Sequence, residues 1–289
     1  MQEIDHGPKF LRLLKTVLSV TEFYKENLDQ WQAHLDTAIA HVGKTLGSDQ
    51  APKFPTISYH LDRILNGAIS NILLIEDNPT YCYVDMASIN RANLELAINC
   101  VLLIRMNGFG FFASLLYDGG RVDKLMASEL KQWSLSKNRA IAEPAKCQLK
   151  EFEDAGGRRE TTLEKIVTSL GFPNPGKIPH IQKRARQAGE EWDFLYTSRY
   201  RTLCMWSHFH PQEVFFCPHN RKSEKEEMMG LSRGIEMLHF SFHLVYLLFN
   251  DVISKTGGQS DPLTTFYTQL MHKLKALLPS EGFHGPLGR

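Results

Sequence analysis

Apolar side chains recur along the N-terminal part of the chain at alternating steps of four and three. Phe10, Leu14, Val17, Thr21, Tyr24, Leu28, Trp31, Leu35, Ala38 and Val42 fall on one stripe. This heptad-like pattern predicts one long helix from about Pro8 to Leu46. Tyr24 and Trp31 occupy seam positions where Leu or Ile would make the best two-stranded contact. The helix is therefore expected to pack within its own fold rather than as a dimeric coiled coil.

The same period continues downstream. Ile57, Leu61, Ile64, Ala68, Ile72 and Ile75 line one face of a second helix that ends at Asp77-Asn78-Pro79. Asn78 and Pro79 suit the start of a third helix, which stops near Gly108 and Gly110. A short apolar segment, Phe111 to Tyr117, precedes a helix over about Arg121 to Asp154, which Pro144 must kink or split. The stretch 156–189 changes character and includes GFPNPGKIP, which reads as loop between short helical pieces. A helix follows from about Glu190 to His208. Ser223 with Glu226 then forms a capping-box pattern that opens a long helix to about Lys255. Asp261-Pro262 starts the last helix.

Runs of alternating β-branched residues bounded by hairpin turns are missing. The expected fold is all-α, a multi-helix bundle with a long N-terminal helix. It is expected to form one domain over 1–277, with a loop-rich excursion at about 156–189 and a flexible tail at 278–289.

Composition narrows the class. The chain has 289 residues, 43% hydrophobic and 22% charged, which is ordinary for a globular protein and excludes a mostly disordered or collagen-like chain. Lys and Arg total 33 against 32 Asp and Glu, a net charge of +1, so a uniformly basic nucleic-acid binder is excluded. One local asymmetry stands out. Between Arg158 and Arg186 lie seven basic and two acidic residues. The most apolar stretch, Met237 to Phe249, is shorter than the ~20 residues of a membrane span and contains His239 and His243. It reads as a buried core helix, and no membrane is expected. Cys82, Cys100, Cys147, Cys204 and Cys217 are odd in number and include no C-x-x-C pair. With no secretory signal at the N-terminus, they point to reduced thiols and a cytoplasmic protein.

Four groups of residues carry candidate chemistry. Arg91 and Glu95 are four apart on the third helix and share a face, either as a structural ion pair or as polar lining of a cleft. Tyr200, Arg201, Ser207, His208 and His210 cluster in SRYRTLCMWSHFHP. Arg201 and His208 are two helical turns apart, about 10 Å along one face. A His can move protons near neutral pH, and an Arg can stabilise charge developing on a phosphate. Cys204, His208, His210, Cys217 and His219 are weak candidates for a zinc site at a non-standard spacing. Glu236, His239 and His243 share one face of the long C-terminal helix. Without the second pair of motifs that a carboxylate-bridged di-iron bundle requires, the two histidines are expected to hydrogen-bond Glu95, Tyr200 or Ser207.

The Arg201-x6-His208 pair resembles the motif of HEPN (higher eukaryote and prokaryote nucleotide-binding) domains, an Arg followed after four to six residues by a His. That resemblance implies a helical bundle and, as in many of that family, a metal-independent ribonuclease of toxin or phage-defence systems, with active sites often completed by a second copy. Separately, Arg91-x3-Glu95 with Tyr200-x6-Ser207-His208-x2-Pro211 resembles an uncharacterised bacterial family of helical domains. It carries over Arg91, Glu95, Tyr200 and His208 as candidate positions and implies no activity.

The expectation is therefore a metal-independent endoribonuclease without a cofactor, acting on RNA as a homodimer. Arg201 would hold the scissile phosphate, His208 would move the protons, and Tyr200, Arg91 and Glu95 would orient them. Lys183, Arg184 and Arg186 would hold the RNA backbone. A non-enzymatic helical sensor or interaction module is the alternative, and a metal-dependent hydrolase built on the Cys and His cluster is a third.

Overall fold

The structure is a computed structural model that describes residues 7–46, 50–106, 108–172, 177–207 and 224–278. Every regular element among them is helical, so the fold is all-α. The helices are α1 (Pro8–Glu26), α2 (Leu28–Thr45), α3 (Phe54–Asp77), α4 (Tyr83–Arg105), α5 (Gly110–Ser134) and α6 (Arg139–Ser169). They continue as α7 (Ile181–Ala188), α8 (Glu190–Leu195), a π-helical turn (Tyr196–Tyr200), α9 (Arg201–Ser207), α10 (Glu224–Lys255) and α11 (Asp261–Leu277).

The long N-terminal helix is interrupted once, at Asn27. Its side-chain amide donates to the Phe23 carbonyl at 2.7 Å, and this local bond competes with the helical ladder. The heptad stripe nevertheless lies inward across the break. Phe10, Val17, Tyr24, Trp31, Leu35, Ala38 and Val42 are buried. Tyr24 stacks on Phe242 of α10 with centroids 4.4 Å apart, and Trp31 meets Phe266 edge-on at 5.0 Å. The aromatic seam residues therefore fill the protein's own core.

The chain forms two compact units. One is built from α1–α4 and α7–α11. Its centre is α10, which packs on α1, α2, α3 and α4. By length and composition α10 is the one described helix that could cross a membrane, but most of its apolar window is buried inside the protein. The α3–α4–α10 junction is pinned by a buried polar triad. Asn71 donates to Asn90 Oδ1 at 2.9 Å and to Ser241 Oγ at 2.6 Å, and Ser241 donates to Asn90 Oδ1 at 2.7 Å. Asn90 in turn donates to the Met237 carbonyl at 2.9 Å. These bonds offset part of the cost of burying the three side chains and fix the helix register, although Asn71 Oδ1 has no partner among the described residues.

The other unit is α5 packed lengthwise on α6. The chain turns between them at 135–138, where Asn138 caps α6 by accepting from Ala140 N at 3.0 Å. Pro144 sits in the second turn of α6 rather than at the break. The helix runs through Gly156 and Gly157 to Ser169, so the first part of the basic stretch is helical. The residues 279–289 of the expected tail lie outside the described residues.

Candidate functional site

The sequence candidates on α4 and α9 meet in space. The Tyr200 hydroxyl donates to Glu95 Oε1 at 2.6 Å across 105 positions of sequence. Glu95 Oε1 also lies 4.0 Å from Arg91 Nε, one helical turn back on α4, and about a third of each of these two side chains is exposed. The Tyr196 ring stacks on Tyr200 with centroids 4.7 Å apart. Burial, then the hydrogen bond to the Glu95 carboxylate and its charge, push the Tyr200 phenol well above its ordinary value, against the Arg91 guanidinium. Tyr200 is therefore a neutral hydrogen-bond donor, and Glu95 is the acceptor it orients. The π-helical turn supplies the geometry. The wider turn over Tyr196–Tyr200 carries Arg199 and Tyr200 at its C-terminal end, and such turns recur at functional positions in helices.

Arg201 begins α9 directly after this turn. It is exposed and makes no hydrogen bond or ion pair to another described residue. Its neighbours differ. Arg199 pairs with Glu236 at 2.6 Å, and Arg105 bonds Asp251 at 2.8 Å and the Ala188 carbonyl. The basic residues of α7 divide in the same way. Arg184 donates to Asn99 Oδ1, Arg186 lies 3.6 Å from Asp193, and Lys183 is exposed with no partner among the described residues. The first two hold α7 in place and Lys183 faces solvent.

Arg91 and Glu95 also line an open groove of about 970 Å³ between α3 and α4. Tyr59 and Arg63, one turn apart on α3, form part of its wall, and both are exposed. Sequence pattern missed this pair because both lie on the solvent face of α3, opposite the stripe that identified the helix.

His208, His210, Cys217 and His219 lie outside the described residues, and so does the extended piece expected at 214–217. Cys204 sits on α9 and is partly exposed. No group of three or more potential metal ligands occurs among the described residues.

A second polar cluster lies on α10 around a cavity of about 450 Å³. Arg199, Glu236, His239, His243 and Tyr267 line it. The two histidines do not bond Glu95 or Tyr200, and the Ser207 side chain lies outside the described residues. His239 Nδ1 is 3.0 Å from the Tyr24 hydroxyl and His243 Nδ1 is 2.7 Å from the Tyr267 hydroxyl. Burial is the main force that lowers their pKa values, to about 3 for His239 and about 4 for His243. The positive charge of Arg199 lowers both further, and for His239 the neighbouring His243 adds to the effect. Both rings are neutral near pH 7. A signal for one partner was present in the sequence, since Tyr24 is a polar-tipped ring in an otherwise apolar seam.

Comparison with protein-family models, with curated proteins and with solved structures finds no match to this chain.

Proposed function

We propose that the protein is a metal-independent endoribonuclease whose substrate phosphate is held by Arg201. The observation that carries this reading is the contrast between Arg201 and its neighbours. Arg201 is exposed and makes no hydrogen bond or ion pair to a described residue beside the Glu95–Tyr200 pair, while Arg199, Arg184 and Arg186 are tied to Glu236, Asn99 and Asp193. A phosphate-binding guanidinium must be free to make two parallel hydrogen bonds to phosphate oxygens. A purely structural Arg is expected to be sealed or paired.

In this reading His208 takes the proton of the ribose 2′-hydroxyl. The 2′ oxygen attacks the adjacent phosphorus, the bond from phosphorus to the 5′ oxygen breaks, and a proton passes to that leaving oxygen. The products are a 2′,3′-cyclic phosphate and a 5′-hydroxyl end. Arg201 stabilises the charge that grows on the phosphate oxygens. Tyr200, fixed by Glu95 with Arg91 behind it, is a positioning residue. Lys183 contributes a backbone contact, and a second copy of the chain completes the site.

Purified protein incubated with total RNA and defined tRNAs, with and without EDTA, tests the reading, with His208→Ala as the control. EDTA-resistant cleavage that is lost in His208→Ala is the expected result. Cleavage abolished by EDTA would contradict it and move attention to the Cys and His cluster. No cleavage under either condition would leave the interaction-module alternative as the better account.

A further inference from the structure

The cavity beside α10 plays no part in the ribonuclease reading, yet its polar atoms have a defined chemistry. At about 450 Å³ it is within the range of small-molecule sites. Leu195, Phe240 and Met271 supply apolar wall, and His239 and His243 supply a polar edge.

The tyrosines fix which ring nitrogen carries the proton. Tyr24 is fully buried, and its hydroxyl has one described partner, His239 Nδ1. A buried hydroxyl hydrogen requires an acceptor. Burial keeps the phenol protonated, so Tyr24 donates and Nδ1 accepts. The Tyr267 hydroxyl, also held protonated by burial, stands in the same relation to His243 Nδ1. A neutral imidazole that accepts at Nδ1 carries its hydrogen on Nε2. Neither Nε2 has a hydrogen-bond partner among the described residues. The two rings therefore present N–H donors and no lone pair for a metal.

Charge narrows the ligand further. Arg199 is matched by Glu236 at 2.6 Å. Lys275 also lines the cavity, is exposed, and has no ion-pair partner among the described residues. One uncommitted positive charge suits a monoanion better than the dianion of a phosphate monoester.

We propose that this cavity binds a small organic acid as its carboxylate. The carboxylate oxygens accept from His239 Nε2–H and His243 Nε2–H, Lys275 supplies the countercharge, and the apolar body of the acid lies against Phe240 and Met271. The site is separate from the Arg201 site and does not depend on the ribonuclease reading.

Octanoate and its neutral counterpart 1-octanol are the probes, titrated calorimetrically into the full chain near neutral pH. Octanoate is expected to bind at least about tenfold more tightly than octanol. His243→Phe, which removes one donor, is expected to weaken octanoate about tenfold and to leave octanol unchanged. Lys275→Met, at an exposed position, is expected to weaken octanoate about fivefold without shifting the melting temperature. Equal affinity for acid and alcohol, absence of octanoate binding, or octanoate binding unchanged in both variants would overturn the proposal. Long-range ¹⁵N–¹H correlation spectra of histidine-labelled protein give a reading that needs no variant. The expected result is a proton on Nε2 in both rings; a proton on Nδ1 of either ring would overturn the donor assignment and with it the site.

Discussion

Two polar clusters stand on opposite edges of one π-helical turn, and burial separates their chemistry. Tyr200 points to Glu95 at a half-exposed face, where water reaches both partners and Arg201 is exposed. Arg199, the residue before Tyr200, lines the cavity beside α10 with His239, His243 and Tyr267. On the open side, charged side chains face solvent. On the cavity side, burial keeps both imidazoles neutral and leaves them as hydrogen-bonding groups.

That contrast can be broken or sharpened in order of effect. The largest expected effect is on stability against pH. The folded-state values of His239 and His243 lie below the ordinary histidine value, so the unfolded chain takes up protons first as pH falls. Their stabilising contribution is full above about pH 6.5 and declines from there towards pH 4 for His243 and pH 3 for His239. Each ring is expected to contribute on the order of 3 to 5 kcal/mol across that window. Urea unfolding midpoints at pH 7, 6 and 5 should fall progressively, and His243→Phe should flatten the trend. A midpoint independent of pH in the unsubstituted protein would contradict the burial of the two rings as neutral groups.

Next in size is His239→Leu. It leaves the fully buried Tyr24 hydroxyl without an acceptor, which is expected to cost about 1–3 kcal/mol. Adding Tyr24→Phe should recover part of that loss, because replacing both partners removes the unsatisfied group. Chemical denaturation of the two single variants and the double variant measures the coupling.

Tyr200→Phe on the open side is expected to cost less, about 0.5–1.5 kcal/mol, since water replaces part of the lost hydrogen bond. It should lower the cleavage rate more than the melting temperature, and equal proportional loss would make Tyr200 a purely structural residue. The smallest effect belongs to Lys183→Ala. Stability should change by less than about 0.5 kcal/mol, and RNA binding should weaken mainly at low salt. A salt-independent loss would point to a contact other than phosphate.

The sequence foreshadowed the fold through its apolar stripes. Val17, Tyr24, Trp31 and Leu35 were spaced for burial and are buried, and Ile57, Leu61 and Ile64 do the same for α3. The interruption at Asn27 was hidden because it depends on one side chain turning back to a carbonyl four residues earlier. The split before α6 fell at 135–138, where Asn138 caps the helix, while Pro144 was accommodated inside it. Arg91, Glu95, Tyr200 and Arg201 were legible as polar residues of the right kind at the right helical spacing. Their pairing was not, because periodicity shows which residues share a face and not which helix lies opposite. The same limit hid the partners of His239 and His243. Tyr24 lies 215 positions from His239, and nothing local to either residue specifies the contact.

In the proposed reading, Arg201 is exposed and without a described partner because it serves a substrate. The most direct test compares Arg201→Ala with the unsubstituted protein in one preparation, reading the initial rate of RNA cleavage and the melting temperature together. The account predicts a rate loss of at least about a hundredfold with the melting temperature unchanged. Cleavage at the original rate, or a rate loss that tracks a fall in melting temperature, would contradict it.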